Sequence, residues 1–178
     1  GGRLEPRSHA AMGGNYSFPG FDVIGSTPVL RVNCHGKRYS DEGFGTHILA
    51  ATAGAKQPNG MLWGVFDSRI EEQLTYQTPC HAVLDYTDAE RMARFRAALE
   101  KARAHQGQRT TNQDMAGDRR PLCCAATLED LARLMFESAA DQAAFLDEVK
   151  RYNALCHAGK DVDFGKDSRL LFPLTQGP

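Results

Sequence analysis

The sequence predicts an α+β domain in which a small antiparallel sheet, built around a hairpin, packs with several helices. In the first half, residues 27–33 alternate between apolar and polar side chains, and residues 61–66 form a continuous apolar run. Both patterns predict strands. In the second half, apolar residues recur at helical spacing. The 178 residues correspond to one domain of ordinary size, which is large enough to bury a hydrophobic core.

The first strand is expected to reverse direction at Gly36-Lys37, so that residues 38–40 return as its hairpin partner. The residues that precede it are rich in glycine and proline, which is typical of loops. The apolar run 61–66 is too short for a helix and predicts a buried strand. The sheet is therefore expected to form within the first half of the chain.

Helices are expected to fill most of the remaining chain. A short one is predicted from Asp67 or Ser68 to Leu74, and a longer one begins at Thr87 or Asp88. Residues 106–120 are polar and contain two glycines, so they predict a loop.

Two further helices are predicted near the C-terminal end. Thr127 opens a capping box for a helix that ends near Phe136. The last helix extends from about Asp141 to His157, and Gly159 is its expected C-cap. Its apolar face is formed by Phe145, Val149, Tyr152 and Cys156.

Composition excludes several classes of partner. The net charge is −1, and acidic residues interrupt the basic ones on the helix after residue 88, so nucleic acid is not an expected partner. No apolar run approaches the roughly 20 residues of a membrane span.

The chain begins with Gly1 and has no apolar leader, which predicts that preceding sequence has been removed. We expect a soluble protein of a prokaryote, and the sequence does not distinguish the cytoplasm from the cell envelope.

The chain contains no motif for a self-contained active site. The five cysteines and six histidines lack the spacing of a disulfide framework or a metal site. The vicinal pair Cys123-Cys124 leaves a redox-sensing role as an alternative. Asp161 and Asp163 superficially suggest a calcium loop, but the remaining ligands are missing. No glycine-rich nucleotide loop and no nucleophile elbow is present.

Five segments carry a resemblance to a known family. They are 30–42 (L-R-V-N-C-H-G-K-R-Y-S-D-E), 61–67 (M-L-W-G-V-F-D), 127–132 (T-L-E-D-L-A), 145–153 (F-L-D-E-V-K-R-Y-N) and 159–166 (G-K-D-V-D-F-G-K). In this order they resemble the capping region of the fumarate reductase/succinate dehydrogenase flavoprotein superfamily. The closing residues 174–178 are similar to the segment that precedes the FAD domain in that superfamily. The resemblance covers most of residues 1–66 and 127–178, whereas residues 67–126 have no match.

The resemblance implies that residues 1–178 form a substrate-capping domain. In that superfamily the cap closes over a flavin held by a separate FAD-binding domain of the same parent chain. The cofactor carries the hydride chemistry, and the protein orients a small-molecule substrate with an activated carbon–carbon bond. The chain alone is therefore expected to be colourless and inactive. The alternative is a non-catalytic binding or interaction module with the same fold.

The resemblance also implies candidate catalytic residues. Fumarate reductases of the superfamily carry a proton-donating Arg eight residues after the Arg of the G-K-R motif, and Thr46 stands at that position here. A neutral Thr neither clamps a dicarboxylate nor acts as that acid, so the expected substrate is not fumarate. The adjacent His47 is the candidate general acid–base. The alternative is that His47 only caps or solvates the loop.

Glu42 matches the motif glutamate and is a further catalytic candidate as a proton relay. Arg38 is a candidate substrate-binding residue, and the alternative is that Arg38 and Glu42 bind each other at the end of the hairpin. His9 and Tyr16, in the loop-rich first segment, are the other substrate-binding candidates. Tyr152 is expected to be structural, because it falls on the apolar face of the last helix.

Overall fold

The computed structural model describes residues 27–44, 48–60, 62–76, 86–111 and 121–175. Within these ranges the chain forms two small antiparallel sheets and five α-helices, which confirms the α+β prediction. No helix in the described ranges is long and apolar enough to cross a membrane. In chain order the elements are β1 (Leu30–Asn33), α1 (Ile48–Ala55), β2 (Leu62–Val65), α2 (Ile70–Leu74), α3 (Ala89–Ala104), β3 (Arg109–Thr111), β4 (Pro121–Cys123), α4 (Leu128–Met135) and α5 (Ala139–Ala158).

The main sheet pairs β1 with β2, with Leu30 opposite Val65 and Asn33 opposite Leu62. All four residues of β1 are buried, including Arg31, so other elements cover both faces of this strand. The predicted buried strand over 61–66 is confirmed by β2.

The predicted hairpin partner over residues 38–40 is wrong beyond a single bridge between Val32 and Arg38. The tight turn itself is present, because the Gly36 N–H donates to the Asn33 carbonyl. After the turn, however, the Arg38 side chain points into the interior and bonds Glu42, which begins a 3-10 helix. The chain therefore leaves the sheet, and β2 takes the place beside β1.

The helix ends follow the capping residues. The Thr127 hydroxyl accepts from the Asp130 N–H at the start of α4, as the capping box predicts. Ser138 caps α5, which begins at Ala139, two residues before the expected start at Asp141. Gly159 ends α5 in the left-handed conformation, with φ of 65°, which confirms the predicted C-cap.

Three elements were absent from the sequence prediction. Helix α1 consists mainly of alanine and glycine, so it has no apolar periodicity that could indicate a helix. Strands β3 and β4 pair with each other, with Arg109 opposite Cys123, and β3 falls inside the predicted loop 106–120. At three residues each, they are too short to show an alternating pattern.

The larger hydrophobic core lies between the main sheet and helices α4 and α5. The predicted face of α5 supplies Phe145, Val149 and Tyr152, all of which are buried, and Cys156 is packed at its edge. A second cluster joins the residue before β1 to α2 and α3. Its buried members are Val29, Ile70, Leu74, Met92 and Phe95.

The first and the last described residues lie at the same end of the main sheet. In an antiparallel pair, the residues before Leu30 and after Val65 lie side by side. Asp67, just beyond β2, accepts a hydrogen bond from the Thr175 N–H at 3.2 Å. Asn153 also holds the segment before Thr175, because its side chain bonds both the N–H and the carbonyl of Leu174. We call this end of the sheet the connection end.

Gly36 is required where the turn after β1 approaches α5. Its φ is +69°, and a Cβ there would lie 2.7 Å from the Asp141 carbonyl oxygen and 2.7 Å from the Phe145 nitrogen. We predict that Gly36→Ala lowers the free energy of unfolding by the ~1–2 kcal/mol of left-handed strain plus ~1–3 kcal/mol of overpacking.

Gly107→Ala is the matched control, since Gly107 has φ of +81° but no atom within 4 Å of an added Cβ. This variant should show the strain cost alone. Denaturant unfolding of both variants checks the prediction, and equal losses would show that the turn does not contact α5 closely.

Candidate functional site

Two of the predicted site residues, Arg38 and Glu42, lie together inside the domain. The Arg38 Nε and Nη2 atoms each donate to one oxygen of Glu42 at 2.8 Å, which forms a bidentate pair. The same Nη2 donates to Asp161 Oδ2 at 2.7 Å. The side chains of Arg38 and Glu42 are 1% and 0% exposed. The alternative in which these two residues bind each other is therefore observed.

Lys166 completes the arrangement, which we call the buried ionic cluster (Arg38, Glu42, Asp161 and Lys166). Its Nζ lies 3.3 Å from Glu42 Oε2 and donates to the Tyr152 hydroxyl at 3.0 Å. Two cations thus face two carboxylates, and the charges balance. The aromatic ring of Tyr152 lies against both cations, with distances of 5.3 Å from Arg38 and 5.1 Å from Lys166 to the ring centre.

The local structure places each member of the cluster. Arg38 follows the turn after β1, and Glu42 begins the 3-10 helix Glu42–Phe44. Asp161 and Lys166 are in the loop that follows the Gly159 cap of α5. The cluster therefore joins the first described segment of the chain to the segment after the last helix.

The two cations of the cluster keep both of its carboxylates ionised. Burial alone would raise the pKa of Glu42, but the bonds and charge of Arg38 and the charge of Lys166 lower it below its usual range. Burial opposes ionisation of Asp161 as well, and the hydrogen bonds from Arg38 and from the Lys166 N–H lower its pKa to about 2. Both carboxylates are consequently ionised at neutral pH, when neither has a proton to donate.

The other candidates cannot be placed in the same way. His9, Tyr16, Thr46 and His47 lie outside the described residues. The positions that carry Thr46 and His47 follow directly after the 3-10 helix that Glu42 begins. The catalytic and substrate-binding roles of all these residues, and those of Arg38 and Glu42, stay predictions.

Sequence reasoning missed the role of Asp161 and Lys166. Asp161 was considered only as a calcium ligand, and Lys166 only as a motif residue. The sequence feature that could have indicated their role is the presence of two motifs rich in charged residues, 36–42 and 159–166. Opposite charges in such motifs indicate a pairing, but the sequence separation of 123 residues between Arg38 and Asp161 hides it.

The described cysteines show no reactive pair. Burial raises the pKa of Cys123 to about 11, and burial also raises the pKa of Cys124. Both are therefore protonated thiols at neutral pH, which are poor nucleophiles. Among the described residues, no group of three or more His, Cys, Asp or Glu side chains is arranged to hold a metal ion.

The chain is similar to a vinyl phenol reductase from Lactiplantibacillus plantarum (strain ATCC BAA-793 / NCIMB 8826 / WCFS1). The two are 24% identical over 157 residues, which is 88% of this chain and 29% of the reductase. The chain therefore spans less than a third of the length of this curated relative. No family model and no solved structure matches the chain.

The pKa of Asp161 predicts a specific loss of stability in acid. Because the folded pKa of about 2 is below the ordinary value of ~3.9, ionised Asp161 stabilises the folded state fully above about pH 4. That contribution is lost as the pH falls from about 4 to 2. We predict that Asp161→Asn lowers the free energy of unfolding at pH 7 by about 3 kcal/mol, because it leaves the Arg38 charge partly unmatched.

The Asp161→Asn variant should also show less change in stability between pH 4 and 2 than the unaltered chain. Asp163→Asn is the matched control, since Asp163 pairs with the exposed Arg151 and should cost less than ~1 kcal/mol. Denaturant unfolding at several pH values measures both. Equal losses in the two variants would show that the cluster is not the important ionic contact.

Proposed function

We propose that this chain is the substrate-capping domain of a larger FAD-dependent reductase that saturates an activated carbon–carbon double bond. The observation that carries the proposal is the alignment of nearly the whole chain with part of a vinyl phenol reductase. A vinyl phenol contains a carbon–carbon double bond conjugated to an aromatic ring. This matches the class of substrate that the family resemblance implies.

The closeness of the first and the last described residues supports a domain inserted into a larger protein. An inserted domain must receive and return the chain close to one place on its surface. Here Thr27–Val29 precede β1 at the connection end, and the segment that ends at Thr175 is bound there by Asp67. Such a domain can move as one body on two neighbouring connections, as closure over a substrate requires.

Thr46 supports an uncharged substrate. The Arg found at this position in the resembling fumarate reductases suits a dicarboxylate, and Thr lacks the charge to bind one. A phenolic alkene has no carboxylate to neutralise. A neutral side chain at position 46 therefore favours this class of substrate over fumarate.

Two buried cations of this chain are not available to the phosphates of FAD. The buried cations that could meet a phosphate group, Arg38 and Lys166, are already bonded to Glu42 and Asp161. In the proposal FAD is held by the part of the protein outside this chain and supplies the hydride. The tasks of this chain are to enclose the substrate, exclude water and deliver a proton from the segment that carries Thr46 and His47.

In this proposal Arg38 and Glu42 are positioning residues. Glu42 is fixed by Arg38 at the first residue of the 3-10 helix, three residues before position 45. The described residues that lead into the segment with Thr46 and His47 are thereby anchored at Glu42. A proton donor must be held within hydrogen-bond reach of the substrate carbon that it protonates, so an anchored start is an advantage.

The substrate class is tested with the full-length protein. We predict that it is yellow, and that after anaerobic reduction its flavin is reoxidised by 4-vinylphenol and not by fumarate. The 178-residue chain expressed alone should be colourless. Absorbance in the flavin band follows both. A full-length protein without flavin would contradict the proposal and favour a non-catalytic module.

The role of His47 is tested in the same protein. We predict that His47→Ala slows alkene-dependent flavin reoxidation by about 10²-fold or more, since it removes a general acid. Flavin reduction should be unchanged, because no substrate proton is delivered in that step. His35→Ala, at an exposed histidine of the turn after β1, is the control and should have normal rates. Normal reoxidation by His47→Ala across roughly pH 6–8 would exclude His47.

A further inference from the structure

Asn33, the last residue of β1, is buried, and its side chain bonds two separate parts of the chain. Its Oδ1 atom accepts from the backbone N–H groups of His35 at 2.9 Å and Lys37 at 3.1 Å, which shapes the turn after β1. Because two N–H groups meet at this atom, it is the amide oxygen, and the amide nitrogen faces the other way. There Nδ2 donates to Gln57 Oε1 at 2.9 Å.

Gln57 extends this connection to the end of α1. It lies two residues after the helix, and its Nε2 donates to the Ala53 carbonyl at 3.0 Å. The last four carbonyl groups of an α-helix have no partner inside the helix, so the Gln57 amide satisfies one of them. The Cys34 thiol makes a weaker contact beside it, with Sγ 3.4 Å from the Pro58 carbonyl oxygen. The last turn of α1 is thereby joined to the end of β1.

The last turn of α1 also packs against the main sheet. A Cβ added to Gly54 would lie 2.9 Å from Leu62 Cδ1 and 3.9 Å from the Tyr39 ring. Leu62 pairs with the last residue of β1, so these contacts surround the same end of the sheet. Helix α1 further contacts the 3-10 helix Glu42–Phe44. Because hydrogen bonds tie each turn of a helix to the next, holding the last turn also holds the first residue, Ile48.

We propose that Asn33 and Gln57 are positioning residues that fix the second end of the segment 45–47, which carries the candidate proton donors. This inference rests on the proposed function, which gives that segment a proton to deliver. Glu42 anchors the residues before the segment, and α1 begins directly after it. Three residues between two fixed elements can adopt far fewer arrangements than three residues at a free end. The bond between Asn33 and Gln57 therefore restricts where a donor in this segment is held.

The anchor is tested by hydrogen–deuterium exchange of the full-length protein. Gln57→Leu removes both bonds of the amide and should raise exchange of the backbone N–H groups in α1 by about 5-fold, the factor that corresponds to one net hydrogen bond. Gln57→Glu keeps an oxygen that accepts from Asn33, and should therefore show a smaller increase. Equal exchange in α1 of the unaltered protein and of Gln57→Leu overturns the proposal.

The consequence for catalysis is measured on the same variants. Gln57→Leu should slow alkene-dependent flavin reoxidation roughly 10-fold, part of the ~10²-fold that a misplacement of about 1 Å costs. Flavin reduction should be unchanged, and Gln57→Glu should recover part of the lost rate.

Gln142→Leu is the matched control. The Gln142 Nε2 donates to the Phe136 carbonyl at 2.9 Å, which is the same kind of bond at the start of α5. This variant should lose a similar amount of stability in denaturant unfolding, with normal exchange in α1 and normal reoxidation. Equal slowing of reoxidation in Gln142→Leu and Gln57→Leu overturns the positioning role, because lost stability alone would then explain both.

The two readouts fail in different ways. If the unaltered full-length protein reduces no alkene, the proposed function is contradicted, while faster exchange in α1 of Gln57→Leu still supports the anchor. If Gln57→Leu reduces the alkene at the normal rate, the positioning role is contradicted and the proposed function stands.

Discussion

Arg38 connects parts of the chain that are 123 residues apart, and the placement of several elements depends on this connection. Its guanidinium bonds Glu42 in the first described segment and Asp161 beyond the last helix. Removing a guanidinium from water costs several kcal/mol unless charged partners meet it. The loop after α5 must therefore lie where Asp161 meets Arg38, and α5 must end beside β1. The turn at Gly36, which packs against α5, follows from the same placement.

Stability alone does not account for four buried charges at this place. Apolar side chains of similar volume often stabilise a protein as well as a buried ion pair does, or better. Hydrogen bonds, unlike apolar contacts, fix both distance and angle. The Asp161 carboxylate accepts one such bond from Arg38 and three from backbone N–H groups of its own loop. The ion pair and the loop conformation are consequently one structure, and Phe164 and Val162 are exposed at defined positions.

The sequence predicted the elements whose signals are local. The Thr127 hydroxyl cap and the left-handed Gly159 were found because each depends on a few neighbouring residues. The strand partner of β1 was predicted wrongly for the opposite reason. Residues 38–40 and 62–65 both suit a strand beside β1, and the choice is made by the Arg38 side chain, whose partner Asp161 is remote in sequence. Helix α1 was missed because it consists mainly of alanine and glycine and has no apolar periodicity that could indicate a helix.

The candidate site, too, could be predicted only where its signal is local in the sequence. The motif identified Arg38 and Glu42 as residues of interest, but charged residues after a turn are usually exposed, so their burial was not foreseen. Matching a family motif does not distinguish a residue that touches the substrate from one that holds the fold.

The structure supplies that distinction for part of the motif. The four members of the buried ionic cluster all fall in the segments that resemble the superfamily, and in the described domain they bond one another. Thr46, by contrast, departs from the pattern at a position where the resemblance implies contact with the substrate. For the cap that we propose, we infer that the matching residues maintain the fold and that the departing residue adapts the site to its substrate. Changes of substrate among such caps would then be expected in the segment after Glu42, while the cluster that anchors this segment stays the same.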